Sequence, residues 1–148
     1  MSSTAFAAVL AAAAGLAGAV QIAVQGRLNE RVGSIEAAAT ASMVGAVLAI
    51  VVLLAVRRSL AGVGDAVAGP KWQLLGGAMS ILIILSITIA GPRIGVVATT
   101  AFLIAAQFAL AAVIDRFGWF GVDRVALTWP RGLGLVLLIV GAALTLRR

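Results

Sequence analysis

The sequence predicts an all-α integral membrane protein of five transmembrane helices, and three observations predict it. Of 148 residues, 63% are hydrophobic and 11% charged, against roughly 45–50% apolar and about 25% charged in soluble domains. The charges stand as singles and pairs at the ends of long apolar runs, where topology determinants belong. The runs number five, each near the ~20 residues that cross a ~30 Å hydrocarbon layer at about 1.5 Å per residue.

The first span is placed at about 5–25. Nothing positively charged precedes it, so it reads as a mature first helix and not as a cleaved leader, with Thr4 as its expected N-cap. Gly26 to Gly33, carrying Arg27, Glu30 and Arg31, is the expected first polar connection. The second span covers about 35–56, with Ser34 as cap and Glu36 in its first turn, where a carboxylate suits the positive end of the helix dipole. It closes at Arg57-Arg58. A Gly-rich loop with Asp65 leads to Pro70, and Lys71-Trp72 anchors the third span, about 72–91, at the interface.

The fourth span, about 94–114, follows after only Gly91-Pro92-Arg93, which predicts a tight antiparallel hairpin. Beyond Asp115-Arg116, the stretch from Phe117 to Thr128 carries Phe117, Trp119 and Phe120 and is expected to lie in the headgroup region. Trp129-Pro130 opens the fifth and shortest span, about 130–146, with Pro at the tolerated first turn, before Arg147-Arg148. The five form a single domain over 1–148. Small residues four apart, as in Ala11/Gly15/Ala19, Ala41/Gly45/Ala49 and Ala101/Ala105/Ala109, and Gly134 and Gly141 seven apart, predict a closely packed bundle.

The chain contains neither Cys nor His, which excludes disulfides, thiolate and imidazole chemistry and the commonest zinc sites. No enzyme activity, cofactor or metal is expected. The net charge of +6 is spent at span ends, so no nucleic-acid partner is expected either. With five spans, Arg57, Arg58, Lys71, Arg116, Arg124 and Arg131 fall on the N-terminal side, against Arg27, Arg31, Arg93, Arg147 and Arg148 on the other. Positive charge orients a bundle, and six against five orients it weakly. An unbiased, odd-numbered bundle is completed by an inverted copy of itself, giving an antiparallel homodimer equivalent to a ten-helix transporter; a sister chain is the alternative partner.

The candidate site starts from the stretch Gly18 to Asn29, where Gln21, Gln25 and Asn29 at i, i+4 and i+8 share a helix face. No carboxylate lies in the middle of a span, since Glu36 begins the second and Asp115 ends the fourth. Proton-coupled cation exporters usually keep such an acid. The deep polar residues are neutral: Gln21, Thr40, Ser42, Ser80, Ser86, Thr88, Thr99, Thr100 and Gln107. Hydroxyls can return a hydrogen bond to their own helix, whereas a glutamine amide cannot be satisfied there. Gln21, Gln25 and Gln107 are therefore expected substrate contacts, together with Thr100, which lies seven residues before Gln107 and on its face, and Asn29, Glu36 and Asp115 are assigned structural or gating roles.

Order and spacing also suggest a family. Gln25-Gly26-Arg27-Leu28-Asn29, Gly33-Ser34 and Val44-Gly45, then Ile94-Gly95-Val96-Val97-Ala98-Thr99-Thr100, Ala106-Gln107, Ile114-Asp115-Arg116-Phe117-Gly118, Arg131-Gly132 and Val140-Gly141, resemble YdcZ-like proteins, the half-length branch of the drug/metabolite transporter superfamily. Arg116 departs from that pattern. The resemblance implies a five-helix inner membrane domain that works in pairs and transports a small metabolite. The small multidrug resistance exporters compare less well, having four helices and an acid within the first. The expected activity is secondary transport of a neutral or zwitterionic small molecule; the competing expectation is a membrane scaffold or accessory subunit in which the amides only hold helices together.

Overall fold

In the computed structural model, which describes residues 3–146, the long elements are all α-helices: α1 Ser3–Val32, α2 Ser34–Arg57, α3 Ala61–Ala68, α4 Leu75–Ile94, α5 Val96–Phe117 and α6 Trp129–Leu144, with 3-10 turns at Lys71–Leu74 and Trp119–Gly121. Four segments, Thr4–Val32, Ser34–Arg57, Lys71–Ile94 and Val96–Phe117, are long and apolar enough to cross a membrane. The apolar α6 has 16 residues, or about 24 Å against a hydrocarbon layer of about 30 Å. Arg147 and Arg148, counted above for one membrane side, lie outside the described residues.

The chain divides into two compact units, one of Met1–Ile22 with Ile94–Arg148 and one of Ala23–Arg93. The second unit holds the later part of α1, then α2, α3 and α4 to Arg93; the first holds the start of α1, then α5 and α6.

Several element ends differ from the sequence expectation, each for a local reason. Gly26 to Val32 is helix, not a polar connection. Arg27, Leu28, Glu30 and Arg31 are competent helix formers, and Arg27 Nη1 pairs with Glu30 Oε2 at 3.0 Å across one turn. What stops α1 is Gly33, at φ 95° and ψ 161°, a region that essentially only glycine enters. Ser34 is not the cap of α2, because Gly33 holds that position without a side-chain cap, and Thr4 lies inside α1.

The loop expected before Pro70 contains α3. Ser59 Oγ accepts from the Ala61 N–H at 3.1 Å at its start, and Lys71 Nζ donates to the Val67 carbonyl at 3.1 Å at its end, where a cation suits the helix dipole. Further on, α4 continues through Pro92 to Ile94. The link to α5 is accordingly the single residue Gly95, at φ 85° and ψ 162°, in place of Gly91-Pro92-Arg93.

At its far end α5 extends to Phe117, and the Gly118 N–H donates to the Ile114 carbonyl at 2.8 Å. The Phe117 and Trp119 rings stack with centroids 5.8 Å apart, and the Val125 N–H donates to the Asp115 carbonyl at 2.9 Å, which ties the extended stretch back to α5. Trp129 and Pro130 open α6.

The buried apolar residues are small or slender: Ile22, Ala37, Ala38, Ile87, Ala98, Ala105 and Ala142. In lipid, helices gain nothing by hiding leucine from hydrocarbon and instead approach closely through small residues. Of the small-residue rows, the one in α5 is covered, with Ala105 buried and Ala101 and Ala109 half-buried. The rows in α1 and α2 stay largely open, and a Cβ added at Gly15 or Gly45 would meet no atom within 4 Å.

Candidate functional site

In the unit Ala23–Arg93 one polar arrangement forms around Pro92. A proline inside a helix has no N–H for the carbonyl four residues back, so α4 leaves the Thr88 carbonyl without its backbone donor. Thr88 is fully buried, and an unmet carbonyl there would be costly. Asn29 of α1 supplies the missing donor, its Nδ2 lying 3.1 Å from the Thr88 oxygen. In turn Asn29 Oδ1 accepts from Ser34 Oγ at 2.8 Å, which holds the amide in register. Three residues earlier, Gly26 faces the proline ring: a Cβ there would stand in van der Waals contact, 3.4 Å from Pro92 Cγ.

Gln25 adjoins this arrangement in sequence, one turn before Asn29. It is 5% exposed, and its Oε1 is buried with no hydrogen-bond partner. Glu36 is exposed in the first turn of α2, and its backbone carbonyl accepts from Thr40 Oγ1 at 2.7 Å.

The other unit holds the remaining candidates. Thr100 is half-buried and lines an open, almost wholly apolar groove of about 550 Å³ together with Ala19, Val96, Ile104, Leu137 and Gly141. Its hydroxyl is committed to the Val96 carbonyl at 2.8 Å. Neither Gln21 nor Gln107 lines that groove. Both are exposed on their helices, and no hydrogen bond from either amide occurs among the described residues.

Asp115 belongs to a second, smaller pocket of about 250 Å³ bordered by Phe108, Ala111, Ala112, Val125, Leu127 and Arg131. Its Oδ2 faces Arg131 Nη1 at 3.5 Å, both side chains being more than a third exposed. A pair so exposed is screened and contributes little to stability.

The remaining deep hydroxyls are self-contained. Those of Ser42, Ser80, Ser86, Thr88 and Thr99 each donate to the carbonyl four residues back, at 2.7–3.0 Å. Sequence reasoning missed the role of Pro92, which it read as a helix stop. The available signal was that a proline followed by only one or two helical residues strands a carbonyl one turn earlier, and that a buried amide elsewhere could serve it.

Residues 6–144 match the family model described as "Putative inner membrane exporter, YdcZ". The inner membrane protein YdcZ of Escherichia coli (strain K12) is 33% identical over 108 residues, covering 72% of this chain and 71% of that protein. No solved structure matches the chain.

Proposed function

The chain belongs to the YdcZ family of the inner membrane, and from that premise we propose that it is a secondary transporter of a small neutral or zwitterionic metabolite, acting as two inverted copies. In this reading α6 is the fifth span. The two five-helix halves correspond to the repeats that many transporters carry in one chain, and alternating access comes from rocking one half against the other. Gln21, Gln25, Thr100 and Gln107 face the solute path, while Asn29, Glu36 and Asp115 hold or gate it.

The observation that carries the reading is the pair of bare amides. Gln21 and Gln107 lie within apolar spans, exposed and without hydrogen-bond partners among the described residues. An amide in hydrocarbon is costly unless it lines water or meets a partner. A second copy covers such amides or encloses them around a hydrated path, and the open small-residue rows of α1 and α2 suit close helix approach.

The pairing is tested by topology. Because the chain has no Cys, a single cysteine at either end reports without background. Labelling of each terminus from both faces of intact cells is expected, and labelling of each from one face alone overturns the inverted pair. A further prediction concerns Gln107→Ala. It is expected to weaken association of copies in vesicles, read by energy transfer between labelled chains, by on the order of 1 kcal/mol, and to slow solute flux in proteoliposomes. Weaker association with unchanged flux would make the amide a helix contact only, and no flux from the wild-type chain would favour the scaffold role.

A further inference from the structure

Among the described residues, Gln25 Oε1 is the one buried side-chain nitrogen or oxygen without a hydrogen-bond partner. Its neighbour one turn on makes the contrast: both polar atoms of the Asn29 amide are used, one on the Thr88 carbonyl and one by Ser34. Two amides thus stand on one face of α1, the first bare and the second spent. A buried acceptor left unmet destabilises the fold, and an apolar side chain of similar length would avoid that cost. Turning the Gln25 amide over exchanges a bare acceptor for a bare donor and leaves the same deficit. The packing needs of this region are met without it, since Gly26 accommodates the Pro92 ring and Asn29 serves the carbonyl that Pro92 strands.

We propose that the Gln25 amide is held unpaired to recognise a solute, and that the solute is an uncharged molecule presenting O–H or N–H groups, such as a polyol or a primary amide. A planar amide offers an acceptor and a donor side by side, and hydroxyls and amides present the complementary pair. Charge disfavours the cationic alternative. The acidic residues are Glu30, Glu36, Asp65, Asp115 and Asp123. They lie in the last turn of α1, the first turn of α2, the short α3, the end of α5 and the connection before α6. A cation buried at Gln25 would meet no carboxylate from the apolar part of a span, and one neutral amide does not offset the burial of an ion. The inference rests on the transporter reading for its purpose, and its test reads binding and not flux.

The test compares wild-type protein with Gln25→Met in detergent by thermal unfolding, alone and with acetamide, glycerol or tetramethylammonium titrated into the high millimolar range. Loss of an unmet buried group is expected to raise the midpoint by about 2–4 °C. Acetamide or glycerol is expected to raise the wild-type midpoint more than that of the variant, while tetramethylammonium moves both alike. Gln25→Leu provides the same comparison from a second side chain. A lowered midpoint, or failure of both variants to fold, makes the amide structural and overturns the proposal. So does an equal response of wild type and variant to both neutral probes, or selective stabilisation of the wild type by tetramethylammonium. A chain that binds but carries nothing in proteoliposomes would sink the transporter reading and leave this one standing.

Discussion

Gly33→Ala and Gly95→Ala are each expected to destabilise the protein by about 1–3 kcal/mol, read as a drop in the thermal midpoint of the purified chain. Both glycines are one-residue links between long helices, at φ 95°, ψ 161° and φ 85°, ψ 162°. The next helix starts at the following residue, and each glycine carbonyl already accepts from it, Gly33 from the Ala37 N–H at 3.0 Å and Gly95 from the Thr99 N–H at 3.1 Å. Neither link can therefore relax its dihedrals without giving up the first turn. The two sites separate torsional from steric cost. A Cβ at Gly95 meets no atom within 4 Å, so its whole penalty is backbone strain; one at Gly33 stands 2.7 Å from Glu36 Oε2, the end of a flexible side chain that can swing away. Nearly equal losses are expected. A Gly95→Ala change without effect would show that the link tolerates another backbone conformation.

The second large effect is a coupling. Asn29→Ala should cost about 1–3 kcal/mol, because it leaves the Thr88 carbonyl of a fully buried residue unmet. In a Pro92→Ala background the residue at 92 regains its N–H and α4 can satisfy Thr88 itself, so the same Asn29→Ala change should cost at least about 1 kcal/mol less. Pro92→Ala alone combines two opposed terms, the restored helical bond and the lost contact between Gly26 and the proline ring, which is why the cycle is more informative than the single change. Equal costs of Asn29→Ala in both backgrounds would show that its amide does not stand in for the missing donor.

The apolar runs and their charged ends were legible because a membrane imposes length and composition directly on sequence. The multi-pass membrane character followed from them, the YdcZ resemblance rested on the order and spacing of short motifs, and comparison supports both. Element ends were less legible. Polar residues at Arg27, Glu30 and Arg31 looked like a connection, yet polarity marks where a helix leaves hydrocarbon and not where it stops. The stop was set by the backbone of Gly33, and likewise by that of Gly95 and not by Pro92.

Residue type alone distinguished glutamine from the span hydroxyls, since Ser and Thr inside a span donate to the carbonyl one turn back. It could not rank the amides. Gln25 and Asn29 read alike as two members of one stripe, four residues apart on α1. Tertiary structure separated them by bringing the carbonyl stranded by Pro92, 59 residues away along the chain, within reach of Asn29 while burying Gln25 with nothing to bond. The sequence by itself determined the class of molecule, a lipid-embedded helical chain with neutral polar groups in its spans, because hydrophobic length and helix periodicity are local. Which amide is spent on the fold and which is left bare depends on partners far apart along the chain, and only packing decides that.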